Sequence, residues 1–412
     1  MEYGLIGAQL PHSFSKEIHE AITGEEYVLK ELAPEELDDF LRRAEFKAIN
    51  VTIPYKQAVI PYLEKISPMA EKIGAVNCIV NRRGKLYGYN TDFSGLRSMI
   101  LEQGLSLKGK TVLILGSGGT SRTAAAVAES LGAAVVQRIS RSGNDGCLRY
   151  EEAMEQYGAA EILINTTPAG MYPRLEGQAV DLDAFPALEG VIDVVYNPLR
   201  TKLVQQARSR SVNACGGLFM LVSQAVSAVE IFRDLQLPED TSRQIYQQLR
   251  RQRENLVLTG MPGCGKSTVG TLLAQQLQRK FIDLDQEIVA RAGCDISDIF
   301  ARQGEQAFRE LESQVISELA GNTGCVIATG GGAVLRPENV RRLKQNGRLY
   351  FLDRPLEDLL PTDDRPLAQD REALQQRYDE RYPTYCAAAD VHITVNGTAE
   401  DAAAAVRKEF GL

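Results

Sequence analysis

Gly260-Met261-Pro262-Gly263-Cys264-Gly265-Lys266-Ser267 satisfies G-x-x-x-x-G-K-[ST] at every specified position. A short apolar run, Asn255 to Thr259, precedes it, and a helical pattern, Thr268 to Leu277, follows. Strand, glycine loop and helix start is the order in which backbone N–H groups turn toward phosphate oxygens. Gly260, Gly263, Cys264, Gly265 and Thr268 would supply those groups, Lys266 would neutralise the outer phosphates, and the Ser267 hydroxyl would ligate Mg²⁺. The chemistry predicted is the binding of a nucleotide's phosphates together with Mg²⁺. Downstream, Phe281-Ile282-Asp283-Leu284-Asp285 places two carboxylates at i and i+2, on one face if the segment is a strand. One would serve Mg²⁺ and the other a substrate hydroxyl.

A second phosphate-binding pattern lies upstream. Thr111 to Leu115 reads as a buried parallel strand and feeds Gly116-Ser117-Gly118-Gly119-Thr120-Ser121, then an alanine-rich helix to Leu131. G-x-G-x-x-[small] in that setting predicts a dinucleotide site, with Gly116, Gly118, Gly119 and Thr120 against the pyrophosphate. The next strand, Ala133 to Ile139, ends in Ser140-Arg141-Ser142, with no carboxylate to take ribose hydroxyls. Arg141 can pair with a 2′-phosphate and both serines can donate to it, which favours NADP over NAD. The competing reading of Arg141 is a solvated loop residue.

The first hundred residues carry further clusters. Ser13 and Ser15 put two hydroxyls beside a helix start. Asn50-Val51-Thr52-Ile53-Pro54-Tyr55-Lys56 puts a lysine after a strand and a proline turn. Asn77 ends Gly74-Ala75-Val76-Asn77, and Asp92 ends Gly88-Tyr89-Asn90-Thr91-Asp92. Each alone reads as a cap or turn; Thr91-Asp92 would cap a helix from Phe93.

These groups need elements to hold them. At ~100–200 residues per domain, 412 residues suggest two to four domains. Leu5-Ile6, Tyr27 to Leu29 and Ala48 to Val51 read as strand cores, and Glu35 to Arg43 as a helix entered through Pro34. Further strands are expected at Glu161 to Asn165 and Gly190 to Val195, then a long apolar helix from Leu218 to Phe232. The polar stretch 238–254 predicts an exposed connecting helix. A net charge of −8 supplies no basic field for nucleic acid or anionic membrane. No apolar run reaches the ~18 residues of a membrane span, and the first residues carry no secretion signal. Seven scattered cysteines without C-x-x-C, and only three histidines, point to reduced thiols, a cytoplasmic setting and no histidine-rich metal site.

Other segments complete a pattern: Asn165-Thr166-Thr167-Pro168-Ala169-Gly170-Met171, Tyr196-Asn197-Pro198 and Gly217 to Gln224. With the clusters above they resemble shikimate dehydrogenase over residues 1 to about 240. From about 255 to 412, the phosphate loop and D-x-D are followed by Phe308-Arg309-x-x-Glu312, Gly330-Gly331-Gly332, Arg365-Pro366-Leu367 and Arg381-Tyr382-Pro383-Thr384-Tyr385. That order resembles shikimate kinase.

The first resemblance implies that Ser13 and Ser15 hold the substrate carboxylate. Thr52, Asn77, Tyr196 and Gln224 contact the rest of the substrate, Gly217 and Met220 meet the cofactor, and Lys56 and Asp92 are the catalytic pair. A ketone that accepts hydride becomes an alkoxide in need of a proton, which a lysine ammonium can stabilise and donate. Lys16 and Cys78 stand where that family carries proline and threonine. The second resemblance implies that Asp285 binds or deprotonates the acceptor hydroxyl and Asp283 acts through Mg²⁺. Arg309, Arg381, Gly331 and Gly332 grip the acid, Lys266 assists transfer, and Arg365 reaches the phosphoryl group from a lid. The stretch Pro355 to Asp364 is shorter than that family's lid and lacks its adenine-stacking arginine.

The fold expected is α/β. It has a substrate domain, 1–103, completed by a helix at 218–236, and a Rossmann-type NADP domain, 104–217. A linker, 237–254, leads to a P-loop kinase domain with a parallel sheet, 255–412. The implied sequence of reactions is 3-dehydroshikimate to shikimate with NADPH, then shikimate to its 3-phosphate with MgATP. Quinate as the oxidoreductase substrate is one alternative, which the paired serines disfavour. A metabolite-sensing regulator that has lost chemistry is another, against which Lys56, Asp92, Lys266, Asp283, Asp285 and Arg365 argue.

Overall fold

Short apolar runs separated by glycine and proline turns become sixteen strands in three sheets among the described residues. The structure, a computed structural model, describes residues 1–10, 14–359 and 371–411. The chain divides into two units, Met1–Leu249 and Arg250–Leu412.

The first sheet of the N-terminal unit holds β1 (Tyr3–Gly7), β2 (Val28–Glu31), β3 (Ala48–Val51), β4 (Lys65–Ile66), β5 (Cys78–Arg82) and β6 (Lys85–Tyr89). Their order is β2-β1-β3-β5-β6-β4. Parallel pairs flank β1, whereas β5 runs antiparallel to β3 and β6. The expected helix at Pro34 opens as a tight turn, Pro34–Glu36, before the α-helix Leu37–Arg43, because Glu36 folds back to accept from Ala33 N. The cap expected of Thr91-Asp92 belongs instead to Asn90, whose Oδ1 accepts from Phe93 N at 3.2 Å. Thr91 and Asp92 therefore lie inside the first turn of the helix Thr91–Glu102, their side chains not spent on the cap.

The second sheet is wholly parallel: β7 (Thr111–Leu115), β8 (Val135–Ile139), β9 (Ile162–Asn165), β10 (Gly190–Asp193) and β11 (Asn213–Cys215), in the order β11-β10-β9-β7-β8. β8 begins at Val135, two residues later than expected, and three-residue β11 escaped the periodicity. Ile114, Ile164 and Ile192 pack with Leu96, Met99 and Ile100. Each such buried side chain contributes roughly 1.5–3 kcal/mol.

The helix Leu218–Arg233 leaves this sheet and packs back toward the first, placing Val222 and Ala225 with Phe14 and Ile18. It crosses Thr91–Glu102 at Gly95, where a Cβ would come within 2.7 Å of Met220 O and 2.8 Å of Gln224 Cβ. Only a residue without a side chain lets these helices approach so closely. The polar stretch after it forms the helix Thr241–Arg253. It is less exposed than expected: Leu249 is buried with Phe14 and Leu218, and Tyr246 meets Phe219 edge-on at 5.4 Å.

The C-terminal unit centres on β12 (Asn255–Thr259), β13 (Phe281–Asp283), β14 (Val326–Ala328), β15 (Gly347–Asp353) and β16 (Val391–Thr394). They are parallel in the order β13-β14-β12-β15-β16. The phosphate-loop helix starts at Lys266 rather than Thr268. Asp283 and Asp285 do not share a strand face. β13 stops at Asp283, whose Oδ1 accepts from Asp285 N at 3.0 Å and starts the helix Leu284–Ala292. Among the described residues, no helix is long and apolar enough to cross a membrane.

Candidate functional site

In the N-terminal unit several of the candidate side chains gather at the start of the helix Thr91–Glu102. Lys56 Nζ donates to Asp92 Oδ2 at 2.6 Å, with side chains 23% and 14% exposed. Water screens such a pair less than it screens an ion pair on the surface. The Lys56 carbonyl accepts from Val76 N at 2.8 Å, which ties the lysine's backbone to the segment carrying Asn77. Asn77 is buried: its Oδ1 accepts from Thr91 N at 2.7 Å and its Nδ2 donates to Thr91 Oγ1 at 3.1 Å. Thr91 Oγ1 lies 3.3 Å from Gln224 Oε1, and Gln224 Nε2 donates to Leu221 O. Lys56, Asp92, Asn77 and Gln224 thus meet around one helix start, with Thr91 as the bridge that sequence reasoning read only as a cap.

Thr52 N donates to Ile6 O, and the Thr52 methyl packs over Gly7. Ser15 opens the helix Ser15–Thr23 next to Phe14, whose ring lies 5.3 Å from that of Tyr196. Burial raises the Tyr196 phenol above its ordinary value. Ser13 lies outside the described residues.

Gly118 precedes the helix Gly119–Ser130, so Gly119 and Thr120 occupy its first turn, where N–H groups lack helical acceptors. This turn follows β7, whose neighbours β9 and β8 lie on opposite sides, a switch point of the kind that holds dinucleotides. On the β8 side, Ser140 Oγ accepts from Gly143 N at 3.1 Å and lies 3.5 Å from Ser142 Oγ, with Arg141 exposed between them. Gly217 N donates to Val195 O at 2.9 Å, and Met220 lies in the helical turn that Gly217 starts. The oxygen and N–H donors present on this edge fit a phosphorylated dinucleotide.

In the C-terminal unit, Lys266 Nζ donates to the carbonyls of Gly260 and Met261, each at 2.9 Å, and lies 3.8 Å from Cys264 Sγ. Ser267 Oγ donates to Asp283 Oδ2 at 2.6 Å. No cluster of three metal-ligating side chains occurs among the described residues. A hydroxyl and a carboxylate side by side suit Mg²⁺, which takes its remaining ligands from water and phosphate.

Next to the loop, Pro262 packs on Gly331, and the three glycines gather the other groups. Asp285 Oδ1 and Glu312 Oε1 lie 2.8 and 2.9 Å from where a Cβ on Gly330 would stand. Arg309 donates to Glu312 Oε2 at 2.9 Å and pairs with Glu305 at 3.2 Å, and its guanidinium covers Gly332 so closely that a Cβ there would collide with it. Arg381 Nη1 donates to Gly331 O at 3.3 Å, and the Tyr385 hydroxyl donates to the same carbonyl. Glu312 is fully buried, and burial raises its carboxyl above the usual range while the Arg309 guanidinium opposes the shift. Glu312 and Tyr385 stood inside the motifs without an assigned role. Their spacing, three residues after Arg309 and four after Arg381, is the signal that they share a helix face with an arginine. Arg365 lies outside the described residues, as do residues 360–364 of the proposed lid.

Residues 5–79 match the family model for the shikimate dehydrogenase substrate-binding domain, and residues 262–410 match that for shikimate kinase. The chain is 34% identical over 265 residues to the NADP⁺ shikimate dehydrogenase of Clostridium perfringens, spanning 60% of this chain and 98% of that protein. It is 41% identical over 148 residues to the shikimate kinase of Persephonella marina, spanning 35% of this chain and 90% of that protein. The crystal structure of shikimate 5-dehydrogenase from Thermus thermophilus in complex with NADP(H) and shikimate superposes with a TM-score of 0.55. It is 25% identical, with 60% of this chain and 99% of that one covered.

Proposed function

We propose that this chain, which belongs to the shikimate dehydrogenase family through its N-terminal region and to the shikimate kinase family through its C-terminal domain, catalyses two consecutive reactions on one ring oxygen. The first is reduction of 3-dehydroshikimate to shikimate, and the second is phosphorylation of the new hydroxyl. The observation that carries the reading is that each unit holds its own charged constellation: Lys56 on Asp92 in one, and Asp285, Arg309 and Arg381 around Gly330–Gly332 beside the phosphate loop in the other.

When bound, NADPH supplies the hydride. Lys56 donates a proton to the oxygen that becomes the hydroxyl, and Asp92 orients both the ammonium and that hydroxyl. Ser13 and Ser15 hold the carboxylate, and Thr52, Asn77, Tyr196 and Gln224 hold the ring. Arg141 with Ser140 and Ser142 selects the 2′-phosphate.

When bound, MgATP supplies the phosphoryl group. Asp285 accepts the acceptor's proton, Ser267 and Asp283 hold the metal, and Lys266 with Arg365 neutralises the transferring charge. Arg309, Arg381 and the N–H groups of Gly331 and Gly332 hold the acid.

One assay tests the reading: purified protein with 3-dehydroshikimate, NADPH and MgATP, followed for shikimate and its 3-phosphate. Absence of NADPH oxidation removes the first half, and absence of ADP release from supplied shikimate removes the second.

A further inference from the structure

Asp193 is a fully buried carboxylate at the C-terminal end of β10, outside every role assigned above. Its Oδ1 accepts from Asn165 Nδ2 at 2.9 Å and from Val195 N at 3.0 Å, and its Oδ2 accepts from Thr201 Oγ1 at 2.6 Å. Each donor belongs to a different segment. Asn165 ends β9, and its Oδ1 in turn accepts from Thr167 N and Thr167 Oγ1. Val195 lies in the loop that reaches Tyr196, and its carbonyl accepts from Gly217 N. Thr201 caps the helix Lys202–Ser209. One carboxylate therefore fastens the loops after β9 and β10 to each other and to the start of a helix.

That carboxylate carries its charge without a cationic partner, since no lysine, arginine or histidine among the described residues pairs with it. Cys215 of β11, whose thiol burial pushes up to about 12, interacts electrostatically with it, and that thiol in turn feels the Arg208 guanidinium, which donates to Ala214 O. Desolvation raises the Asp193 carboxyl to about 6, against the pull of its three hydrogen bonds. A buried charge held only by neutral donors is costly, and carboxyls perturbed in this way cluster at functional sites.

The task follows from the strand order. A dinucleotide crossing the sheet edge has its phosphates at the turn after β7 and its adenosine by Ser140–Ser142 after β8, so its nicotinamide half lies over the ends of β9 and β10. Those are the two loops that Asp193 joins. We propose that ionised Asp193 is the positioning residue for the nicotinamide half of the cofactor site, holding the loops 165–168 and 193–197 in the arrangement that receives that ring. The inference rests on the NADP-dependent reading of this unit. Protonation removes one acceptor position, so that Thr201 or Asn165 loses its charge-assisted bond and the loops loosen.

The test is calorimetric binding of NADP⁺ and of 2′,5′-ADP to the full chain and to Asp193→Asn, between pH 5 and pH 8. Asparagine matches the protonated carboxyl in shape and lacks its charge, so the fold persists while the variant behaves at every pH as the native protein does in acid. The 2′-phosphate itself titrates near pH 6, and the ratio of variant to native Kd removes that contribution. For NADP⁺ the ratio is expected to be about tenfold at pH 8, the difference between charged and neutral hydrogen bonding, and to fall toward one at pH 5. For 2′,5′-ADP, which lacks the nicotinamide half, it should stay near one throughout. A pH-independent ratio for NADP⁺, or an equal loss for both ligands, overturns the proposal. Failure of the native chain to bind NADP⁺ at all overturns the NADP reading instead.

Discussion

Lys56 Nζ meets Asp92 Oδ2 at 2.6 Å across 36 residues of sequence, and Asp92 is available because Asn90 caps the helix in its place. Lys56→Ala is expected to slow NADPH-dependent reduction by about 10²–10⁴-fold, the usual contribution of a positioned acid. Phosphorylation of supplied shikimate by the same preparation should be unchanged. Steady-state kinetics of both half-reactions on one sample check this, and equal loss in both would point to unfolding.

The converse holds for the C-terminal unit. Asp285→Asn should lower phosphorylation by at least about 10²-fold while leaving reduction intact. Gly332→Ala puts a methyl group against the Arg309 guanidinium, which must move off its pairs with Glu312 and Glu305. A rise of about tenfold in KM for the acid acceptor, with KM for ATP unchanged, is the expected reading.

Arg141 is the exposed residue between two serines after β8. Removing a charge-assisted contact costs about 1.5–3 kcal/mol. Arg141→Ala should accordingly raise KM for NADPH by about 10–10²-fold and leave KM for NADH nearly constant. The ratio of the two specificity constants measures it directly.

His19 is buried between Tyr27, stacked at 4.0 Å, and Phe232, and burial lowers its imidazole to about 3. The unfolded chain protonates near pH 6.5, whereas the folded one stays neutral until far lower pH. The stability tied to a neutral His19 is therefore complete above pH 6.5 and is lost as pH falls toward 3, by ~2 kcal/mol at pH 5. His19→Phe should flatten that loss, as read by hydrogen exchange of the β1–β3 amides at pH 5 and pH 7.

What could be read from the chain was local. The phosphate loop and the β7 turn announce themselves because strand, glycines and helix are contiguous. The D-x-D pair was misplaced because a strand of three residues leaves too little periodicity, and Asp283 itself redirects the chain. Thr91 could not be read as a bridge, since its partner Gln224 lies 133 residues away. Leu249 sits in a segment whose polarity suggested full exposure, yet with Ile245 and Tyr246 it seats the helix among Phe14, Leu218 and Phe219. Asp193 gives no pattern at all, because its meaning lies in three donors drawn from separate segments.

The Gly95 crossing bears on how the protein is made. The sheet built from the first ninety residues receives part of its cover from a helix ending at Arg233, after all five strands of the parallel sheet have been translated. On a ribosome, the module that emerges first is thus the later of the two to close. Until then its cleft lacks Gln224 and its apolar face is open, and transiently open apolar surface is prone to association.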